Sequence, residues 1–246
     1  GNGFLKSFTA GFLTTCGLTA VGSSCVDNGE SLPLHGTISN TPAEKYLYQI
    51  TDKEIYIKAY IRQSSLFAEQ LLLSREYICL LDENVLKIKD TINNIGPRTT
   101  PFMMLYHFNI GYPMLSENSE VSIPSTSVAP RNEHASKSIE DCLKMEHPQS
   151  GFEEQCYYHK VKNKDNIAAV SIFNPDINEG FTMKYDVAEL EYFTEWKMMG
   201  QYEYVLGLEP GNCKPDGRDV VRKSGELKFI SPGEEYIHNI ELTFAK

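Results

Sequence analysis

The chain has 246 residues, 41% of them hydrophobic and 23% charged, which excludes an intrinsically disordered protein and suits one large domain or two small ones. Asp and Glu number 33 against 23 Lys and Arg, a net charge of −10 with His neutral. A surface that negative repels phosphate backbones and anionic lipid, so neither nucleic acid nor a membrane surface is an expected partner, and no run approaches the roughly 18 apolar residues of a spanning helix.

The chain opens on Gly1-Asn2-Gly3. Its first apolar stretch, Phe4 to Leu18, is broken by Thr9, Gly11, Thr14, Thr15 and Gly17. It lacks a small-residue cleavage site after a continuous apolar block, so it does not read as a signal peptide. Six cysteines (16, 25, 79, 142, 156 and 213) show no CxxC pair and no zinc-finger spacing. Contexts such as Tyr77-Ile78-Cys79-Leu80-Leu81 read as buried thiols, and the expected location is cytoplasmic.

From Lys45 onward the pattern is strand after strand. Lys45 to Thr51, Glu54 to Ile61 and Leu71 to Leu81 are rich in Tyr, Ile and Leu, with short polar breaks between them. Asn84 to Ile95 alternates: Val85, Lys87, Lys89 and Thr91 on one side, Leu86, Ile88, Asp90 and Ile92 on the other. Pro101 to Pro113 forms an apolar strand. Later strands are expected at Tyr157 to Val161, Ala168 to Phe173, Phe181 to Val187, Leu190 to Trp196, Tyr202 to Leu208, Glu226 to Ile230 and Glu235 to Phe244. No window of a dozen residues keeps a 3.6-residue apolar stripe, so the class is all-β, a sandwich or barrel. Ser116 to Ser150, crowded with Ser, Glu, Pro and Asn, breaks the rhythm. Strand-like sequence resumes after it unchanged, so the stretch reads as a long loop or insertion within one domain covering residues 1–246.

Three segments depart from scaffold chemistry. In Leu34-His35-Gly36-Thr37-Ile38-Ser39-Asn40-Thr41-Pro42-Ala43, His-Gly then Asn and Pro is loop chemistry, and the Gly lets backbone approach whatever the imidazole faces. By itself, His35 reads equally as a surface-turn residue. In Tyr106-His107-Phe108-Asn109-Ile110-Gly111, an apolar strand gives His107 and Asn109 the same facing; His107 is either a structural His bonded to a carbonyl or a general acid. In Leu208-Glu209-Pro210-Gly211-Asn212, a carboxylate closes an apolar strand at a Pro-Gly turn. It is either solvated or held at a cleft rim as a general base.

Together these phrases, with Thr14-Thr15-Cys16-Gly17-Leu18 and Asp90-Thr91-Ile92-Asn93-Asn94-Ile95-Gly96, resemble the aldose 1-epimerase (galactose mutarotase-like) superfamily. They are most similar to its domain-of-unknown-function 4432 branch, from Gly11 to about Phe244. The resemblance implies a β-supersandwich of two large, mostly antiparallel sheets with a sugar cleft on one concave face. It also implies that Glu209 is the base, His107 the acid and His35 a substrate ligand. Relatives place several strands, and an Arg that contacts the sugar, before the His-Gly loop. Here about thirty residues without Arg precede His35, so either N-terminal strands are lacking from this chain or the cleft is built differently, and no Arg is assigned.

Anomer exchange needs one acid and one base on opposite sides of the C1–O5 region and neither metal nor redox cofactor, so the expected cofactor set is empty and the partner is a small-molecule sugar. Sugar sites use aromatic faces and amides, which makes Trp196, Tyr106, Phe108, Asn40 and Asn109 candidates, with Lys197 a donor to a hydroxyl or carboxylate. Rival readings are a non-catalytic sugar-binding protein on the same fold and a sugar-phosphate epimerase. The latter needs several converging Arg, whereas Arg98, Arg131, Arg218 and Arg222 are scattered. A glycosidase needs a second carboxylate in a context like that of Glu209, and none is evident.

Overall fold

The structure, a computed structural model, describes Lys6 and residues 11–245; the rest of the apolar start, 1–5 and 7–10, lies outside the described residues. In chain order the strands are β1 (Leu13–Leu18), β2 (Cys25–Asp27), β3 (Glu30–Leu32), β4 (Lys45–Ile50), β5 (Glu54–Ser64), β6 (Gln70–Leu80), β7 (Val85–Asn94), β8 (Thr100–Ile110), β9 (Glu120–Ser122) and β10 (Ser125–Pro130). After a short helix α1 (Glu133–Ser136) come β11 (Gln155–Val161), β12 (Asn163–Lys164), β13 (Ile167–Asn174), β14 (Glu179–Asp186), β15 (Tyr192–Gly200) and β16 (Glu203–Gly211). Helix α2 (Arg218–Lys223), β17 (Lys228–Ile230) and β18 (Glu235–Ala245) complete the chain. No helix among the described residues is long and apolar enough to cross a membrane.

Two large antiparallel sheets result. A seven-stranded sheet runs β1-β8-β16-β15-β11-β10, with β17 also paired to β8; a nine-stranded sheet runs β12-β13-β14-β18-β7-β6-β5-β4, with β9 on β13. The expected all-β architecture is observed. The sequence reading left out β1, the β2–β3 hairpin and β10, because each is short or interrupted by Gly, Thr or Ser and carries little apolar periodicity.

Period-two alternation decides what each face does. On β7, Ile88, Asp90 and Ile92 point inward and are buried, while Lys87 and Lys89 are exposed. β8 lies between β1 and β16 and is buried on both sides. Its even-numbered residues Phe102, Met104, Tyr106 and Phe108 join the main core between the sheets. Its odd-numbered residues Met103 and Leu105 pack with Cys16, Cys213 and Val221 in a second, smaller core beneath α2. Further along that outer face come His107 and Asn109.

The main core also holds charge. Asp90 is fully buried; Arg75 donates to both of its oxygens, at 2.8 and 2.6 Å, and the Tyr106 hydroxyl donates to it at 2.7 Å. His238 Nδ1 lies 3.2 Å from the same hydroxyl. The network therefore ties β6, β7 and β18 of one sheet to β8 of the other, with each charge partnered as burial requires. Burial pushes His238 down to about 4, the Asp90 carboxylate only partly opposing it. A buried neutral His binds fewer protons than the unfolded chain between its two pKa values, so its stabilising contribution is present above about pH 6.5 and is lost as pH falls towards 4. Denaturant unfolding at pH 7 and pH 5 should differ by about 2 kcal/mol through this group. His238→Gln should remove that part of the slope, and an unaltered slope would refute the assignment.

Candidate active site

His35 is delivered by a loop stitched to the end of β1. Its N–H donates to the Gly22 carbonyl at 2.8 Å and its carbonyl accepts from the Gly17 N–H at 3.1 Å. His35 has φ 58° and Gly36 φ 74°; a Cβ on Gly36 would stand 2.3 Å from the Gly17 oxygen, so this crossing admits only glycine. His35 Nδ1 accepts from the Gly22 N–H at 3.3 Å, which puts the ring proton of a neutral imidazole on Nε2. Burial, reinforced by His107 and Arg131, pushes its pKa down to about 3, so the ring is neutral at physiological pH.

His107 on β8 and Glu209 on β16 are brought together by register. The pairs Leu208↔Phe108 and Gly211↔Leu105 flank them and set Glu209 opposite His107, where Pro210 has no N–H to give to the ladder. On the other side, Thr194 of β15 is the partner of Glu209. The expected Pro-Gly turn is not there, since β16 continues through Gly211; just past its end, Asn212 fixes the chain to β8, its Oδ1 accepting from the Met104 N–H at 2.7 Å and its N–H donating to the Met104 carbonyl at 2.9 Å. His107 Nε2 and Glu209 Oε1 lie 3.0 Å apart. They contact each other directly on one wall, rather than standing on opposite sides of a gap.

The contact is not aligned as a hydrogen bond. His107 Nδ1, Glu209 Oε1 and Thr194 Oγ1 are all buried without a hydrogen-bond partner among the described residues. Buried polar atoms are rarely left this way, and all three residues line one cavity of about 300 Å³. Trp196, two residues along β15 from Thr194, lines it too, its ring edge-on to His107 at 5.6 Å and its Nε1 donating to Glu154 Oε2 at 2.7 Å. Asn109 sits at the mouth, its amide donating to the Gly11 carbonyl at 3.0 Å. Cys156 lines the cavity with a thiol pushed far up by burial and by Glu209, which leaves it no nucleophilic role.

The five expected site residues other than the acid and base meet different fates. His35, Asn109 and Trp196 join His107 and Glu209 around the cavity. Lys197 does not, which corrects the expectation: neighbours on a strand face opposite ways, and its Nζ donates to the carbonyls of Lys144 (2.8 Å) and Asp141 (3.4 Å) behind the sheet. Asn40 is a second correction, lying exposed in the 3-10 turn Ile38–Asn40 away from the cavity lining. Tyr106 and Phe108 belong to the core for the same alternation reason.

Thr194, Arg131 and Glu154 were missed. Thr194 was recoverable from the spacing, two residues before Trp196 on a strand. Arg131 was not, because it follows β10 inside the irregular stretch. It reaches the cavity wall and donates to Ser23 Oγ at 2.8 Å, with its Nε 3.6 Å from Asp216. It thereby supplies a guanidinium from a part of the chain where the resemblance gave no reason to look. The remaining arginines are elsewhere: Arg218 and Arg222 both bind Asp27, and Arg98 lines a different depression.

The family model described as "Domain of unknown function (DUF4432)" matches residues 1–244, so the chain belongs to that family. The solved structure of a candidate aldose 1-epimerase from Klebsiella pneumoniae subsp. pneumoniae MGH 78578 superposes with a TM-score of 0.91 at 23% identity, over 98% of this chain and 66% of that one. The chain thus spans about two thirds of that protein's length. A galactose mutarotase-like protein from Clostridium acetobutylicum gives 0.70 at 14% identity, covering 99% and 82%. The galactose 1-epimerase of Lactobacillus acidophilus NCFM gives 0.63 at 12%, covering 98% and 81%. The fold is therefore galactose mutarotase-like. No curated protein matches the sequence.

Gly207 lies between these side chains, and a Cβ there would stand 2.4 Å from Glu209 Oε1 and 3.1 Å from His107 Cε1. Because the obstructed atoms are side-chain ends, Gly207→Ala is expected to fold with a near-native melting temperature while separating the carboxylate from the imidazole. The His107 ring resonances, followed by NMR, should move; unchanged resonances would contradict the geometry.

Proposed function

We propose that this member of the DUF4432 family is an aldose 1-epimerase-like isomerase that interconverts the anomers of a monosaccharide. The observation that carries the reading is that His107, Glu209 and Thr194, each with a buried polar atom that has no hydrogen-bond partner among the described residues, line one cavity of about 300 Å³. That volume is at the small end of ligand cavities and suits one pyranose ring.

In this mechanism Glu209 takes the proton of the C1 hydroxyl while His107, as imidazolium, gives one to the ring oxygen. The C1–O5 bond breaks, the aldehyde turns about C1–C2, and closure returns both protons. O1 and O5 are bound to the same carbon, so an acid and a base that serve both at once are best held side by side, as the 3.0 Å separation of His107 and Glu209 provides. A proton passes from His107 to Glu209 through the sugar, so the pair has the same total charge at every stage. A desolvated site tolerates that far better than a reaction that creates charge.

The other residues fit recognition of a neutral sugar. His35 offers a neutral ring, Arg131 and Thr194 offer polar hydrogens, and Trp196 offers an apolar face for C–H groups. A sugar-phosphate reading is less well supported, because among the described residues a single Arg reaches the cavity and it already meets Ser23 and Asp216. A glycosidase reading is weaker still, since the other cavity carboxylate, Glu154, is exposed and engaged by Trp196.

Anomer exchange of a panel of aldoses, read by magnetisation-transfer NMR, tests the proposal. Glu209→Gln should slow the exchange of the accepted sugar by about 10²–10⁴-fold while calorimetric binding persists. Turnover that survives Glu209→Gln, or a wild-type protein that binds sugars without accelerating exchange, would overturn it.

A further inference from the structure

The reverse face of the same sheet carries a second cluster of chemistry-bearing groups. Cys142, just after the 3-10 turn Ile139–Asp141, meets His159 of β11 and Glu195 of β15, with one ligand atom from each lying within 4.8 Å of the other two. All three residues are buried, the side chains of His159 and Glu195 completely.

Hydrogen bonding leaves one polar atom of this cluster without a partner. The Ser125 hydroxyl donates to the Ile123 carbonyl at 2.9 Å, a contact between two oxygens that is repulsive unless the hydroxyl proton lies between them. Ser125 then accepts from His159 Nδ1, 2.9 Å away, which turns Nε2 towards Glu195, 3.0 Å from its Oε2. Glu195 Oε1, its partner oxygen, is buried with no hydrogen bond among the described residues.

We propose that Cys142, His159 and Glu195 form a structural zinc site, with Sγ, Nε2 and both carboxylate oxygens as the ligands. The set is of the type that zinc selects, and a bidentate Glu195 closes the fourth position with the oxygen that otherwise has no partner. Thiolate and carboxylate together cancel the charge of Zn²⁺, so the buried site is neutral. The Nδ1–H bond to Ser125 is the outer support that ligating imidazoles usually have. Lys197, the cation on this face, is held by the backbone carbonyls of Asp141 and Lys144. The ion would pin the 131–154 segment, whose ends bring Arg131 and Glu154 to the cavity, against the strand that carries Thr194 and Trp196.

The test uses the full chain, stripped with chelator and reloaded. One equivalent of Zn²⁺ should survive desalting, and Co²⁺ in its place should give tetrahedral d–d bands with a thiolate-to-metal charge-transfer band. Cys142→Ser should abolish the charge-transfer band, whereas Cys156→Ser, on the opposite face, should retain it. Should Cys142→Ser fail to fold, X-ray absorption of the wild-type zinc form decides, with one sulfur at about 2.3 Å and the other ligands at about 2.0–2.2 Å expected. Zinc retained well below one equivalent, a charge-transfer band that persists in Cys142→Ser, or an absorption shell without sulfur would each overturn the assignment.

Discussion

Two polar side chains, His107 and Glu209, meet at 3.0 Å in the middle of a sheet, both buried. Removing a carboxylate and an imidazole from water costs several kcal/mol unless each gains partners, and here each keeps an atom without one. A sandwich selected only for stability would fill these positions with Leu and Val, as it does at Leu105 and Leu208 one step away. The rest of the architecture holds this costly pair in place. β8 and β16 are central strands, the register around Pro210 places the two residues side by side, and Asn212 locks the end of β16 to Met104.

The site is also a consequence of where side chains are missing. Gly36 lets the His-Gly loop cross Gly17 at van der Waals distance, Gly22 lies against the backbone of Pro215, and Gly207 leaves room for the Glu209 carboxylate itself. The second crossing draws chain segments nearly two hundred residues apart into the cavity wall, and the third leaves space between Glu209 and His107. None of these glycines touches a substrate in the proposed chemistry, yet each sets a distance that the chemistry needs.

What the sequence revealed follows from which signals are local. Alternation on β7 foretold that Asp90 shares a face with Ile88 and Ile92, although it could not foretell the Arg75 and Tyr106 partners that make its burial tolerable. The order His-Gly, strand His, late Glu pointed to three residues that do share a cavity, because each lies in a motif whose neighbours constrain it. Lys197 and Tyr106 were proposed for the cleft in spite of the period of two: Trp196 and His107 already claimed that face, so their immediate neighbours were excluded. Arg131 was out of reach, since its place depends on how an irregular segment folds back over β11, which no periodicity encodes.

Three buried polar clusters in this one molecule differ in how well they are satisfied, and the difference separates scaffold from chemistry. In the Arg75–Asp90–Tyr106–His238 network every charge has its partner, and the network spans both sheets as a rigid strut. Around Glu209 the residues that carry unpartnered atoms line a cavity. Around Glu195 the unpartnered oxygen is sealed from solvent beside a thiol and an imidazole, the setting from which the metal proposal starts. What separates the three clusters is one physical variable, namely what the second carboxylate oxygen can reach.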